Sequence, residues 1–325
     1  MLKLAVPFIV ALSAFASGPV AAQAAFPAKP VRLVVSAAPG GAGDTLARLL
    51  ANEIETALGA PVYVENKPGA GSTLGYRYLA NAEPDGYTMG LIAVSNIAIA
   101  GSSQQFSDLP DLREDLVAVG GVAITPHILV VKSDSGIDTF EDLAKTLREK
   151  GDALSFGSQG QNSSAHLEGE LLNAGLGAKA VHVPYNGSAP ALVGLLGGQT
   201  QYMFDSVAPV ISQVQSGGLK VLASAGTKRL ERFPDVPTLA ELGYPDIQSD
   251  NPLGVFMPKG APAEAVAKLS EALRVAMQSA AAQDAINKVG LISHYLPAEA
   301  LQQTVIDEYA LWAPVVADVE GTEKK

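Results

Sequence analysis

Residues 40–44, with the sequence GGAGD, are the first whose types suggest binding chemistry, because they lie between a strand-like run and a helical pattern. Glycine has no Cβ, so the backbone N–H groups of this loop can approach an anion closely, and the N-terminus of the next helix adds a favourable dipole. The spacing is close to a dinucleotide fingerprint, but Leu46 stands where the third glycine is required. The loop therefore predicts a carboxylate site, with a plain tight turn as the alternative.

A second polar loop, residues 157–166 with the sequence GSQGQNSSAH, also lies between a strand-like and a helical segment. Seven of its ten side chains carry hydrogen-bonding groups, and Ser163 or Ser164 is suited to cap the following helix. Both loops are expected at the carboxyl ends of strands, where α/β sheets bind ligands. The segment predicts a second half of the same site, and a merely polar surface loop is the alternative.

Two further candidates follow along the chain. Residues 184–190, PYNGSAP, place Tyr185 where it could line a pocket and Ser188 where it could cap a helix, although the segment also fits a simple turn. Asp205 follows an apolar strand-like run. Since a carboxylate beside a bound anion repels it unless it anchors donors or water, Asp205 is predicted to organise the cleft, or to pair with the amine of an amino-acid ligand.

Patterns for catalysis and metal binding are weak. The histidines His127, His166, His182 and His294 show none of the HxxH, HxxxH or HExxH spacings of metal sites, and the chain has neither a GxSxG motif nor a P-loop. A hydrolase that uses Ser158 with His166 is the enzyme alternative, but their position at one loop–helix junction favours capping. We therefore expect no enzyme activity, no cofactor and no metal.

The elements that must position these loops alternate between strand and helix. Residues 139–150 form a helical pattern with Phe140, Leu143 and Leu147 on one face, and Asp44 is expected to be the N-cap of the first helix. Residues 181–184 and 201–204 are expected to be buried strands. The strand-like runs are residues 31–35, 62–64, 87–93, 128–131, 154–156, 181–184, 201–204 and 219–225. This pattern predicts an α/β fold with largely parallel sheets covered by helices, and a mostly helical segment from residue 262 onward.

Composition bounds the class of protein. A length of 325 residues favours two domains, and 48% hydrophobic with 17% charged residues excludes global disorder. The net charge of −11, without a basic stripe, argues against nucleic acid as a partner. With 0 cysteines, stability must come from core burial, and the acylated cysteine of a lipoprotein is absent from the sequence.

Residues 1–24 are predicted to be a secretory signal peptide. Lys3 provides a basic start, residues 4–15 form an apolar run, and Ala22 and Ala24 occupy the −3 and −1 positions of a cleavage site. The apolar run is shorter than the roughly 20 residues that span a bilayer. We therefore expect a periplasmic protein that is not a lipoprotein.

Six segments in this order resemble, nearly end to end, the receptors of tripartite tricarboxylate transporters, also called the Bug family. Each segment is moderately specific, and the set is far more specific than any member. The segments are FPAKPVRLVVSAAPGGAGDTLARLLA, VYVENKPGAGSTLG, EPDGYTM, LSFGSQGQNSSAHLEGELL, VHVPYNGSAPALVGLLGGQTQYMFD and RFPDVPTLAELG.

The resemblance implies an α/β, two-domain periplasmic-binding-protein fold of type II (a Venus flytrap), which closes on a ligand in the cleft between its domains. Residues 25–124 with 226–325 would form the first domain and residues 125–225 the second. The implied function is a monomeric receptor that delivers a small carboxylate to transmembrane permease subunits. A sensing receptor that docks on a signalling partner is the alternative.

The resemblance also implies which residues bind the ligand, mostly through backbone N–H groups and ordered water. Where the family often has a bulky residue, this chain has Ala37 and Ala38, which implies a roomier pocket for a longer, dicarboxylic or ring-bearing acid. The implied binding residues are Ala37, Ala38, Gly40, Gly41, Gly43, Asp44, Ser95 and Asn96 in the first domain, and Ser158, Gly160, Ser163, Ser164, His166, Tyr185, Gly187, Ser188 and Asp205 in the second.

Overall fold

The computed structural model describes residues 26–40, 42–69 and 72–323. The predicted signal peptide and Gly41 lie outside these residues. In the described ranges, none of the helices combines the length and the apolarity needed to cross a membrane.

In the described ranges of the chain, eleven strands form two separate sheets. Their bounds are β1 Val31–Val35, β2 Val62–Asn66, β3 Thr88–Ala93, β4 Leu116–Ile124, β5 His127–Lys132, β6 Ser155–Ser158, β7 Val181–Pro184, β8 Tyr202–Ser206, β9 Leu219–Ser224, β10 Pro252–Pro258 and β11 Ile292–Pro297. The first sheet has the order β11-β4-β10-β3-β1-β2, and the second has the order β7-β6-β8-β5-β9. Each sheet is the centre of one domain, so the chain has the predicted two-domain α/β fold.

Helices connect and cover the strands. Their bounds are α1 Ala42–Leu58, α2 Thr73–Ala80, α3 Val94–Ser102, α4 Leu112–Asp115, α5 Phe140–Lys150, α6 Ser164–Leu176, α7 Ser188–Leu196, α8 Val207–Gln215, α9 Ala263–Met277, α10 Ala280–Lys288 and α11 Ala298–Glu323. The predicted helix at residues 139–150 is α5, which begins with a complete capping box between Thr139 and Asp142. The segment after residue 262 is mostly helical, as expected, but it also contains β11.

The sheets are mixed, so the expectation of largely parallel sheets is wrong. The pairs β1–β2, β1–β3, β6–β7 and β6–β8 are parallel, whereas β5 and β10 run antiparallel to both of their neighbours. These two are the first strands formed after the chain passes from one sheet to the other. Each inserts between two strands of its sheet and runs in the direction opposite to both. The sequence of a buried apolar strand does not show whether the strand runs parallel or antiparallel to its neighbours.

Two local predictions are also wrong. Helix α1 begins at Ala42, so Asp44 lies in its first turn rather than at the N-cap. Strand β7 is not buried, because it forms the edge of the second sheet, and Val181 is 57% exposed. Strand β8, in contrast, is buried from Tyr202 to Asp205, as expected for a strand with neighbours on both sides.

Residues 226–250, which follow the boundary expected at residue 226, pack their apolar side chains against the second sheet. Leu239 and Ile247 belong to the core beneath the second sheet, and Leu230 packs with the core on its other face. The two crossings between the sheets meet where the Thr125 N–H donates to the Asn251 carbonyl at 3.1 Å. Apolar burial thus holds this segment with the second sheet.

Candidate ligand-binding site

A cavity of about 590 Å³ lies where β6, β7 and β8 end. Strands β7 and β8 both run parallel to β6, so the loops that follow the three strands meet at one edge of the sheet. The cavity is lined by Gln159, Gly160, Tyr185, Asn186, Gly187, Ser188, Asp205 and Ser206. The structure therefore brings together five of the residues expected from the sequence: Gly160, Tyr185, Gly187, Ser188 and Asp205.

Asp205 is the buried centre of this cavity wall, with a relative exposure of 0%. Its carboxylate accepts hydrogen bonds from the backbone N–H of Ser206 at 2.7 Å, from the side-chain amide of Gln159 and from the hydroxyl of Ser188. Burial raises the pKa of Asp205, although these donors favour its charged form. Asp205 thus ties the ends of three loops together, as an organising residue would.

Helices α7 and α8 both begin at the cavity. The N-cap of α7 is Gly187 and that of α8 is Ser206, and within the described structure neither makes a side-chain capping hydrogen bond. The prediction that Ser188 caps α7 is wrong, because its hydroxyl donates to Asp205 instead. The first-turn N–H groups of both helices are therefore left without a capping side chain, and such groups favour an anion.

Sequence reasoning did not single out Gln159, Asn186 or Ser206, which also line the cavity. Each one is the immediate chain neighbour of a residue that was singled out. Gln159 stood within the polar loop, so hydrogen-bonding capacity was a usable signal for it. The contribution of Ser206 depends on α8 starting there, which the apolar sequence that follows did not reveal.

The other residues expected from the second loop lie beneath the cavity rather than in its wall. Ser158 is fully buried, and its hydroxyl lies 2.7 Å from Nε2 of His182, not beside His166. Ser163 caps α6 by accepting from the N–H of His166 at 3.2 Å, as predicted, and Ser164 is 2% exposed. These residues support the loop.

His166 and His182 stack under this loop, with ring centroids 3.7 Å apart. The backbone N–H of Asn162 donates to Nδ1 of His166 at 3.2 Å, which requires that nitrogen to be unprotonated. Burial lowers the pKa of His166 to about 3 and that of His182 to about 4. Both rings are therefore neutral at the pH of ordinary solutions.

We expect the stack to make folding less favourable as the pH falls. An unfolded histidine titrates near ~6.5, so between that value and about 3 the unfolded chain binds the proton that folded His166 rejects. Stability is present above pH ~6.5 and is lost at up to ~1.4 kcal/mol per pH unit below it. Chemical denaturation of the wild type and of His166→Phe from pH 7.5 to 4 measures this. If the free energies of unfolding of the two proteins changed with pH by the same amount, the expectation would be contradicted.

The loop that follows β1 is held by Asp44, which is 3% exposed. Its carboxylate accepts from the Gly40 N–H at 2.9 Å and from Nδ2 of Asn66 at 2.8 Å, and it pairs with Arg48. The bond from Arg48, with those from Gly40 and Asn66, lowers the pKa of Asp44 to about 2. Nδ2 of Asn66 also donates to the Ala37 carbonyl at 2.9 Å. Asp44 is thus a structural anchor of the loop.

The cavity lining comes entirely from the second domain. Among the described residues, none of those expected from the first domain lines it, and Ser95 is fully buried inside α3. The first-domain residues in question are Ala37, Ala38, Gly40, Gly43, Asp44, Ser95 and Asn96. Ala38 and Gly40 are exposed. The structure therefore does not bring the two predicted halves of the site into one cavity.

Helix α6 joins the second domain to the first. Its Leu167 is buried in a core with Ile97 and Trp312 of the first domain. Just before α6, Nδ2 of Asn162 donates to the hydroxyl of Ser103 at 3.0 Å. The loop beneath the cavity therefore contacts both domains, so a rotation of one domain relative to the other would change the contacts of this loop.

Among the described residues, the cavity lining contains no basic side chain, and no cluster of metal-binding side chains is found. Within the part of the chain that is described, no lysine or arginine lines the cavity. The same described residues contain no group of three His, Asp or Glu side chains placed to hold a metal ion. Recognition of a charged ligand here depends on N–H groups, hydroxyls and amides.

Comparisons with known proteins agree with this architecture. Residues 46–320 match the model of the tripartite tricarboxylate transporter family receptor. Protein BugT of Bordetella pertussis is 33% identical over 316 residues, which cover 97% of this chain and 96% of BugT. The structure of the periplasmic binding protein BugD has a TM-score of 0.77 at 31% identity and covers 90% of this chain and 98% of its own. MatC of Rhodopseudomonas palustris, with bound malate, has a TM-score of 0.75 at 30% identity and covers 90% of this chain and 100% of its own.

Proposed function

Because the chain belongs to the family of tripartite tricarboxylate transporter receptors, we propose that it captures a small carboxylate at the cavity beside Asp205 and delivers it to membrane permease subunits. The chain is a solute-binding receptor of this transporter type, and family members are periplasmic binding proteins. Malate, which MatC binds, supports a dicarboxylate or a related acid as the ligand class here.

The observation that carries the proposal is the pair of helix N-termini at the cavity. Gly187 and Ser188 at the start of α7 and Ser206 at the N-cap of α8 line the cavity, and within the described structure neither N-cap residue makes a side-chain capping hydrogen bond. A carboxylate placed between them accepts several charge-assisted hydrogen bonds, each contributing about 1.5–3 kcal/mol. Several such bonds, less the ordering cost, supply micromolar affinity, which corresponds to ~8 kcal/mol.

The remaining parts of the proposal concern how the receptor works. We propose that it is exported by its first 24 residues, acts as a monomer without a lipid anchor, and binds without turnover. The domains close by bending at residues 124–126 and 250–252, a division supported by the bond between Thr125 and Asn251 and by the packing of residues 226–250 with the second sheet. Closure brings the loop after β1 to the ligand.

A thermal-shift screen of the mature protein tests the proposal, with malate, succinate, adipate, citrate, glutamate and benzoate as probes. An acid at about 100 times its dissociation constant stabilises the folded state by ~2.7 kcal/mol, which is readily seen. We expect at least one acid to raise the melting temperature. If no acid does so, and denatured protein releases no bound acid on analysis, the carboxylate assignment is wrong.

The same screen locates the site through a matched pair of variants. Asn186→Asp adds one negative charge at the cavity without changing the shape of the side chain. Like charges in contact disfavour binding strongly, so we expect the affinity for the best acid to fall about tenfold or more, a change of ~1.4 kcal/mol. Asn52→Asp makes the same change on the exposed side of α1 and serves as the control. Equal affinities for the two variants would place the acid elsewhere.

A further inference from the structure

The order of the strands creates two clefts between the domains, one on each side of the crossings. In the first sheet, β4 and β10 separate β11 from β3, β1 and β2; in the second sheet, β5 separates β9 from β8, β6 and β7. The cavity beside Asp205 follows β6, β7 and β8. A second groove of about 710 Å³ lies on the side of β9 and β11, and we call it the rear groove. It is lined mainly by residues 226–232 of the second domain and 290–295 of the first.

The two domains touch at the rear groove. Gly290, just before β11, packs directly against the start of α8. A Cβ added to Gly290 would lie 3.2 Å from Cβ of Ala208 and 3.3 Å from its backbone nitrogen. Nearby, Nη2 of Arg232 donates to the carbonyl of Asn287 at 3.4 Å. At Gly290 and Ala208 the two domains are already in contact, so a side chain at position 290 would meet Ala208.

The cavity side differs in its lining, although the loop beneath the cavity also contacts the first domain through Asn162 and Ser103. Of the described residues, those lining the cavity belong to the second domain alone, and the loop after β1 does not line it. Rotation about crossings that lie between the two clefts narrows one as it widens the other. Closure on the cavity side therefore separates the rear contact.

We infer that Gly290, Ala208 and Arg232 form a rear contact that holds the receptor open and so sets its ligand affinity from a distance. A ligand that binds the closed form has an apparent dissociation constant equal to the intrinsic one divided by the closed fraction. Whatever separates the rear contact raises the closed fraction and tightens binding, without touching the ligand. The inference rests on the proposed function only in taking closure as the step that completes the site.

The test measures opening without any acid, so it does not depend on the ligand. Because the chain has 0 cysteines, Thr45→Cys and Ala189→Cys are the only spin-label sites, and they lie at exposed positions on α1 of the first domain and in the first turn of α7. A minor closed state is commonly ~0.1–10% populated. Ala208→Trp inserts a wedge at the rear contact, and we expect it to move the main label–label distance to a shorter value. Ala208→Ser, which adds no wedge, is the matched control and should leave the distance as in the parent.

A second variant keeps the test decisive if the tryptophan variant does not fold. Arg232 is exposed, so Arg232→Ala removes the bond to Asn287 without opening a core. We expect it to increase the population at the shorter distance by a smaller amount, at least twofold. An unchanged or longer distance in whichever of Ala208→Trp and Arg232→Ala folds would overturn the inference. Such a result would leave the carboxylate assignment intact, since the acid screen tests that separately.

Discussion

Replacement of Asp205 by alanine is expected to lower the free energy of unfolding by roughly 3 kcal/mol or more, because each hydrogen bond to a charged group contributes ~1.5–3 kcal/mol. The carboxylate is fully buried and accepts from Gln159, Ser188 and the backbone of Ser206. Alanine leaves these donors without their acceptor and removes the link between three loops. Urea denaturation of the two proteins measures the loss.

We expect replacement of Asp205 to weaken binding of the carboxylic acid as well as to lower stability. Asp205→Asn retains the shape and one acceptor oxygen, so it is the variant in which binding is measured if the alanine variant is poorly folded. We expect its affinity for the best acid of the screen to fall about tenfold, or ~1.4 kcal/mol. Asp142→Ala is the control, since Asp142 also accepts from neighbouring N–H groups but at an exposed helix start. It should cost ~1 kcal/mol, as loss of a cap does. If the loss of stability at Asp205 were no greater than the loss at Asp142, Asp205 would not have the organising role.

The second large effect is expected at Glu168, whose side chain is 0% exposed and lies 2.9 Å from Nδ1 of His127. His127 begins β5, directly after the first crossing between the sheets, and Glu168 lies on α6. The other carboxylate oxygen, Oε1, has no hydrogen-bond partner among the described residues. Removing one member of a buried pair strands the other, so Glu168→Ala should cost ~3–5 kcal/mol.

A double variant distinguishes the cost of leaving one buried polar group unpaired from the cost of losing the His127–Glu168 pair itself. Replacing both members, as in His127→Leu with Glu168→Leu, removes the polar pair and leaves no stranded charge. Such replacements are often neutral, so the double variant should be more stable than Glu168→Ala alone. A double variant as unstable as the sum of the two single variants would show that the residues do not act as a pair.

The pair also has an expected pH dependence. Burial opposes protonation of His127, but the adjacent Glu168 carboxylate outweighs burial, and the pKa of His127 is raised. An unfolded histidine titrates near ~6.5; the stabilisation is fully present below that pH and is lost as the pH rises through the folded value. The stability difference between wild type and Glu168→Gln should therefore be larger at pH 5.5 than at pH 9. A difference that grows with pH would contradict this, and the opposite trend at His166 serves as an internal comparison.

Much of the second-domain half of the site was predictable because its signals are local. Gly160, Tyr185, Gly187, Ser188 and Asp205 each lie within a few residues after a strand-like run, and the rule that sheets bind ligands at the carboxyl ends of parallel strands places them together. The structure brings them to one cavity. Their role in binding stays a prediction that the acid screen tests.

The direction of strands and the partners of polar side chains were not predictable in this way. Ser158 lies in the same polar loop segment as His166 but bonds to His182, because β6 pairs with β7 and sets their register. Likewise, apolar runs do not show that β5 and β10 insert antiparallel between strands. These outcomes depend on which strands become neighbours.

The sequence by itself determined the α/β class, the two-domain division in outline, the receptor family and the polar loops, because periodicity, composition and motif order are properties of short stretches of chain. Only the tertiary structure decided that the cavity is lined by one domain, that residues 226–250 pack with the second sheet, and that Gly290 meets Ala208 behind the crossings. The physical reason is that these contacts join residues far apart in the chain. They are determined by how the two domains pack against each other. Glycine and alanine at such a contact form no sequence motif from which it could be predicted.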